Sequence, residues 1–442
     1  MNTPIYDFLK KYGQSGILRC HMPAHKGKSL IPELSAMYAL DITEISGADS
    51  LFEADGIILQ SEKNISSLYN TSGTVYSTGG STLCIQTILY IMKSENRKIF
   101  AVRNVHRAFM NAAALLDLDV EWIMPEYSGG ILSGNINPQD IENALKNSGK
   151  PSALYVTSPD YTGKTTDIKT LAAICRRYTA RLIVDNAHGA HLKFLPQDIH
   201  PITLGADLCC DSAHKMLPAL TGAAMLHTSV PEYVPLLKQA MNMFGSTSPS
   251  YLIMMSLDLC NKYITEKIKS DIKNNLVYLE NFRRKFSDRL VFADGEPFHI
   301  TIKASESGLD GNELAERLRK NGAECEYSDK TLVILLMSPV CTKHDYEKLS
   351  YALSETVGEC RKTRPYTMEF DMRLPERVMS IHDAVFSDSE TIPVEKAAGR
   401  ICASVKVPCP PAVPIVASGE RIDRNSINIF VRYGIPDVIV VK

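Results

Sequence analysis

Two stretches decide the fold: Leu182-Ile183-Val184-Asp185-Asn186-Ala187-His188-Gly189-Ala190-His191 and Leu208-Cys209-Cys210-Asp211-Ser212-Ala213-His214-Lys215-Met216. Each begins as a short apolar run, too short for a helix, and ends in an acidic residue and a polar turn. That pattern predicts strands buried on both faces, Leu182–Asp185 and Leu208–Asp211. A strand that ends in Asp takes a carboxylate out of water, which is costly without a partner. Thirty residues separate Asp185 from Lys215. That is room for one crossover and one further strand, so both residues come to the same edge of one sheet.

Working outward, Ile99–Val102, Ala153–Thr157 and Ala223–His227 read as further short strands. Thr82–Lys93, His106–Leu116, Ile141–Asn147 and Ile168–Tyr178 read as helices between them. Strand–helix alternation predicts an α/β domain with a mostly parallel sheet covered on both faces. Ligands in such sheets bind at the carboxyl ends of the strands. After a polar break at Ser246–Ser250 comes a long helical stretch, roughly Leu252 to Phe286. A smaller α/β unit follows: strand Phe298–Lys303, helix Gly311–Asn321, strand Thr331–Leu336 and helix Lys343–Glu355. From about Arg364 the chain is richer in Pro and reads as an irregular cap around Pro408-Cys409-Pro410-Pro411-Ala412-Val413-Pro414. The expected organisation is an N-terminal arm over residues 1–60 and a large domain over 61–265. A smaller C-terminal domain, including the Pro-rich segment, takes 266–442.

Of the 442 residues, 45% are hydrophobic and 22% charged, which excludes wholesale disorder. Lys and Arg number 48 against 50 Asp and Glu, so no basic field is available to hold nucleic acid or an anionic membrane. Eleven scattered cysteines with no Cys-x-x-Cys pair predict a reduced, cytoplasmic protein. No apolar leader and no membrane-length apolar run is seen.

Four motifs carry chemistry. Lys215 follows a strand end beside Ser212 and His214; a lysine held there loses hydration and becomes a nucleophilic amine, the alternative being a surface lysine. Asp185 suits a protonated pyridine nitrogen; the alternatives are a turn-capping Asp, or a metal shared by His188, His191 and Asp185 with His21 and His25. Ser77-Thr78-Gly79-Gly80-Ser81-Thr82 opens a helix with free N–H groups and hydroxyls, as a phosphate cradle does, though the same letters make ordinary turns. It lacks the Gly-Lys-Ser/Thr ending of a Walker loop. His106, after the Ile99–Val102 strand, offers a ring for stacking or a simple helix cap. One chemistry joins all four: pyridoxal phosphate (PLP) with its phosphate, ring, pyridine nitrogen and aldehyde each matched.

The sequence resembles the Orn/Lys/Arg decarboxylases, PLP enzymes of fold type I, in their short form. The matching stretches include His21-Met22-Pro23-Ala24-His25-Lys26-Gly27, Asp41-Ile42-Thr43-Glu44, Gly80-Ser81-Thr82, Arg103-Asn104-Val105-His106 and Ser158-Pro159-Asp160-Tyr161-Thr162-Gly163. The strand-end runs through His191 and Lys215, and Gly419-Glu420, continue the series in family order. The resemblance implies an aspartate aminotransferase-like large domain and decarboxylation of arginine, lysine or ornithine, as in polyamine metabolism. It implies that Lys215 forms the Schiff base, Asp185 pairs with the pyridine nitrogen and His106 stacks on the ring. Ser81, Thr82, Ser212 and His214 would hold the phosphate, with His188 near the ring's O3′ side. Ser246 and Thr247 match a segment that reaches the neighbouring subunit's phosphate, which implies a homodimer with shared active sites, or a larger assembly. His214 or Lys215 would reprotonate the α-carbon. Glu326, in Cys325-Glu326-Tyr327-Ser328-Asp329, is the first candidate to anchor a basic side chain, the alternative being a solvated turn carboxylate; Asp160, in the Ser158–Gly163 stretch, is a second substrate residue. No metal is expected.

The chain departs from the family pattern at Asn186, where Glu is usual, at Ala24, where Gly is usual, at Asp160, often Thr, and at Cys409-Pro410-Pro411-Ala412-Val413-Pro414, usually Tyr-Pro-Pro-Gly-Ile-Pro. These positions bear on substrate choice. The competing expectations are a transaminase or lyase on the same fold, a metal hydrolase, and a PLP-binding protein without turnover.

Overall fold

The structure is a computed structural model and describes residues 1–29, 31–127, 130–367, 371–404 and 413–442. It forms two compact units, each built from two stretches of chain: Met1–Glu95 with Arg181–Asp271, and Asn96–Ala180 with Ile272–Lys442.

In the first unit, strand Leu208–Asp211 lies between Arg181–Asp185, to which it runs parallel, and Ala224–Thr228, to which it runs antiparallel. Gly73–Ser77 pairs antiparallel with Ala224–Thr228 at the far side. All four strands are almost wholly buried, which is why all but Gly73–Ser77 read as apolar runs rather than alternating ones. Register decides what each face carries. Asp185 pairs with Cys210, whereas Cys209 pairs with His227 and His227 with Thr74. Because successive side chains alternate, Asp185 and Cys210 share one face, and Cys209, Asp211, His227 and Thr74 share the other. Helix Gly80–Ser94 follows the first strand. The N-terminal stretch carries its own helix, Pro4–Gly13, whose first turn is held by a buried carboxylate: Ile5 N and Tyr6 N each donate to Asp258 Oδ2 at 3.0 Å.

In the second unit, Lys98–Val102 runs parallel to both Ser152–Thr157 and Val120–Ile123. A three-stranded antiparallel sheet, His299–Ile302, Val333–Leu336 and Tyr327–Ser328, carries helices Gly311–Lys320 and Lys343–Glu359. With the helices on the first unit's strands, these elements give the expected α/β class.

The expected strands and helices of the first 360 residues all form, with ends shifted by a few residues. Three features differ from expectation. Gly73–Ser77, hidden by its Gly, Thr and Ser residues, and Val120–Ile123, whose short apolar run is interrupted by Glu121, are additional strands. The long stretch after Tyr251 is two helices, Tyr251–Glu266 and Ile268–Phe286, broken at Lys267. The segment from Arg364 is not an irregular cap. It holds helices Ile381–Phe386 and Arg424–Arg432 and an antiparallel sheet in which Asp437–Val441 lies between Ser389–Pro393 and Cys402–Ser404. Ser389–Pro393 is a mostly exposed edge strand with no apolar run, whereas Asp437–Val441 alternates in burial although Val438-Ile439-Val440-Val441 is wholly apolar. Val394, Ile415, Phe430 and Val440 bury against Leu132 and Ile334 in one core. Residues 408–412 of the Pro-rich stretch lie outside the described residues.

Candidate active site

Asp211, Ser212 and the turn after them place Lys215. The strand ends at Asp211 and a single helical turn, Ala213–Met216, follows. Ala213 and Met216 are buried, while His214 and Lys215 are half-buried, so the turn presents its two basic residues together. The Lys215 Nζ lies 2.9 Å from His188 Nε2. His214 donates Nδ1–H to the Ala223 carbonyl at 2.9 Å. Burial, with the Lys215 charge a lesser contributor, lowers the His214 pKa from its usual value. That imidazole is therefore neutral at pH 7, with its proton on Nδ1.

Asp185 is 2% exposed at the end of its strand. Its Oδ1 accepts from Ala187 N at 3.2 Å and from the Cys210 thiol at 3.6 Å. Burial, chiefly, and the neighbouring Asp185 charge push the Cys210 thiol well above its usual pKa. It therefore stays protonated and acts as a donor. The following turn is tight: a Cβ on Gly189 would come within 1.9 Å of Asn186 Oδ1. Asn186 itself is fully buried and donates Nδ2–H to Asp211 Oδ1 at 2.8 Å. Its Oδ1 has no hydrogen-bond partner among the described residues.

Asp211 is the hub of a buried cluster on the opposite face. Its Oδ2 accepts from His200 Nε2 at 3.1 Å and lies 3.4 Å from His227 Nε2, while His227 Nδ1 meets Thr74 Oγ1 at 2.8 Å. Burial opposes ionisation of Asp211, but its contacts with the His200 and His227 rings outweigh it and hold the carboxyl well below its usual range. His200, Cys209 and Asp211 stand close enough to hold a metal ion. However, His200 Nδ1 accepts from Ile202 N at 3.4 Å. That leaves the ring proton on Nε2, where it bonds Asp211. Sequence reasoning missed this cluster: His227 is brought beside Cys209 by strand register and His200 reaches Asp211 from the cap of helix Pro201–Leu204.

The phosphate candidates also meet. Ser81, buried in the first turn of helix Gly80–Ser94, and Ser212 share a hydrogen bond of 2.7 Å between their hydroxyls. Thr82 beside Ser81 is exposed, as are Ser246 and Thr247 on the loop before Tyr251. The histidines weighed for a metal go separate ways. His188 goes to Lys215, while His191 is buried in the turn Ala190–Phe194. His25 bonds Asp41 at 3.2 Å and His21 bonds Tyr12 at 2.6 Å.

In the second unit, His106 caps helix Arg107–Leu115. Its Nδ1 accepts from Ala108 N at 3.1 Å, which fixes the proton on Nε2 and the direction of the ring. Asp160 is buried and brackets its own turn, with Oδ1 accepting from Thr162 N, Thr162 Oγ1 and Lys164 N at 2.9, 2.7 and 3.1 Å. Burial raises its pKa from the usual value. Glu326 is exposed and accepts from the Tyr161 hydroxyl at 2.7 Å.

The chain also matches known proteins. Residues 3–304 match the family model of the Orn/Lys/Arg decarboxylase major domain, and 365–433 that of the C-terminal domain. The chain belongs to the Orn/Lys/Arg decarboxylase family and is therefore an amino-acid decarboxylase. It is 26% identical over 452 residues to an arginine decarboxylase of Bacillus subtilis, covering 96% of this chain and 92% of that one. It is 21% identical to the constitutive lysine decarboxylase of Escherichia coli, over 89% of this chain and 69% of that one. The structure of the lysine decarboxylase of Francisella novicida superposes with a TM-score of 0.80 at 17% identity, over 99% of this chain and 79% of that one. That likeness supports the fold.

Proposed function

We propose that the chain removes the α-carboxylate of a basic amino acid, arginine before lysine or ornithine, with PLP bound at Lys215. The observation that carries this is the half-buried Lys215 amine against His188 Nε2, one helical turn beyond a strand end. The relatives named arginine decarboxylase support arginine. The donor set suits PLP: an amine for the aldehyde, a buried carboxylate for the pyridine nitrogen, and paired hydroxyls at a helix N-terminus for the phosphate. When bound, PLP supplies an electron sink for the pair left by the departing carboxylate.

In this proposal Lys215 holds the aldehyde end, Asp185 the pyridine nitrogen, and Ser81, Thr82 and Ser212 the phosphate. His106 covers the ring. When its amine is free, Lys215 would be held in place by His188 Nε2. The two candidates for the proton donor then separate. His214 is neutral and its Nδ1–H is spent on Ala223, so Lys215 Nζ delivers the proton. His214 is left a phosphate-side role. Glu326, oriented by Tyr161, holds the basic end of the substrate, and Asp160 keeps its turn in shape.

The proposal includes a homodimer in which Ser246 and Thr247 serve the neighbouring subunit's site. Ile17, Leu18 and Met22 are 61, 77 and 66% exposed, apolar surface that a second copy would cover. It also includes a cytoplasmic setting, supported by the free state of every described cysteine. Among the described residues no helix is long and apolar enough to cross a membrane.

The test is the visible spectrum of the purified protein before and after borohydride, for wild type and Lys215→Ala, joined to carbon dioxide release from arginine, lysine and ornithine. A band bleached in wild type and absent in the variant, with carbon dioxide from arginine, is expected. No band after adding PLP overturns the cofactor assignment. A band with turnover only in the presence of a keto acid replaces decarboxylation by transamination.

A further inference from the structure

Arg103 and Glu420 are 317 positions apart, yet their side chains form a two-pronged pair: Nη1 to Oε1 at 3.0 Å and Nη2 to Oε2 at 2.6 Å. Their side chains are 0% and 2% exposed. Each partner is fixed from behind. The guanidinium lies 4.7 Å from the centroid of the Trp122 ring, and Arg103 N donates to the Ile123 carbonyl at 3.0 Å. Glu420 Oε2 also accepts from Ala417 N at 2.7 Å. Gly419 has φ +88° and packs so closely that a Cβ would meet Met379 O at 2.5 Å, so Glu420 leaves a turn with little freedom. Cys402 N donates to the Glu420 carbonyl at 2.8 Å, which ties this turn to the C-terminal sheet.

Arg103 stands three residues before His106, on the turn that leaves strand Lys98–Val102. The next side chain, Asn104, makes no hydrogen bond through its buried Oδ1 among the described residues. The guanidinium is thus the side-chain anchor at the root of the turn, and the anchor's counter-charge comes from the C-terminal segment. A paired, two-pronged contact of this kind is both strong and directional.

We infer that Glu420 is a positioning residue for His106: through Arg103 it sets the turn that aims the His106 ring. The C-terminal segment thereby becomes part of the cofactor site without touching the cofactor. The inference rests on the proposed role of His106 over PLP.

The test titrates PLP into the full chain and reads both affinity and the induced circular dichroism of the bound cofactor. Three variants are compared with wild type: His106→Ala, the double variant Arg103→Met/Glu420→Met, and all three substitutions together. The double variant replaces both charges by apolar side chains of similar length, which spares the fold an unpaired buried charge. The expected result is a folded double variant that binds PLP about tenfold more weakly, with a reduced dichroic signal, and a triple variant no weaker than His106→Ala alone. Such non-additivity is what coupled residues give. A folded double variant that binds like wild type, or losses that multiply in the triple variant, overturns the inference and leaves the role of His106 intact. His106→Ala with unchanged affinity and dichroism overturns the stacking role and the inference with it. If the double variant does not fold, Glu420→Asp carries the same comparison, since it keeps the charge and shortens its reach by one methylene.

Discussion

Each of the two units holds a buried charged cluster, and the two clusters are built differently. In the first unit Asp211 faces His200, His227 and Asn186; in the second Arg103 faces Glu420 across Trp122. Each sits at the end of a strand followed by a residue proposed for the site, Lys215 in one case and His106 in the other. The Asp211 cluster is held by two neutralisable imidazoles and the Asn186 amide. The Arg103 cluster is one guanidinium–carboxylate pair, and a guanidinium cannot shed its charge. The difference teaches that one design distributes its dependence and responds to protons. The other concentrates everything in a single partner.

The largest effect follows from that concentration. Glu420→Gln leaves a guanidinium buried without its counter-charge and is expected to destabilise the chain by about 3–5 kcal/mol. Arg103→Met/Glu420→Met removes both charges and is expected to stay within about 1 kcal/mol of wild type. Urea unfolding of the two variants checks this. Equal losses would mean that the pair's packing, and not its charge balance, is what matters.

Protons test the other cluster. Burial lowers the His227 pKa in the folded state, against the pull of Asp211. The unfolded chain therefore takes up a proton first, and stability is lost as pH falls below about 6.5, by at most ~1.4 kcal/mol per pH unit for this group. The depressed Asp211 carboxyl adds a second loss as pH falls below its unfolded value near 3.8. Urea midpoints at pH 8, 6.5 and 5 should decline for wild type and decline less for His227→Gln. Equal slopes would remove His227 from the account. At the same cluster, Asn186→Asp sets a second carboxylate against Asp211 Oδ1 and is expected to cost about 2–3 kcal/mol at pH 7, less at pH 5.

Both regions were only partly readable from the sequence. Strands buried on both faces betray themselves as apolar runs, so Leu182–Asp185 and Leu208–Asp211 were found almost to the residue, and with them Asp185 and Lys215. Ser81 and Ser212 were expected to share one task, and their hydroxyls do meet. The partner of Arg103 was not readable, because no local pattern links positions 317 apart. Nor was the C-terminal sheet, whose edge strand carries Ser389, Glu390 and Pro393 where strands usually carry β-branched residues. His200 and His227 looked like isolated polar residues until register set His227 beside Cys209.

The smallest effect on stability comes from an exposed contact that neither cluster shelters. Tyr161 Oη donates to Glu326 at 2.7 Å in the open. Water replaces such a bond readily, so Tyr161→Phe is expected to change stability by no more than about 0.5 kcal/mol. Its effect belongs instead to substrate. If Glu326 receives the cationic end of the amino acid, losing the hydroxyl that orients it removes binding made equally in the ground and transition states. KM for arginine then rises severalfold while kcat holds. Glu326→Gln should raise KM further, on the order of tenfold, and act on arginine and lysine alike, because both present a cation. Steady-state kinetics of the two variants on both substrates decide the matter. A fall in kcat with KM unchanged would mean that Tyr161 acts near the reacting carbon, and would move the anchor for the basic side chain away from Glu326.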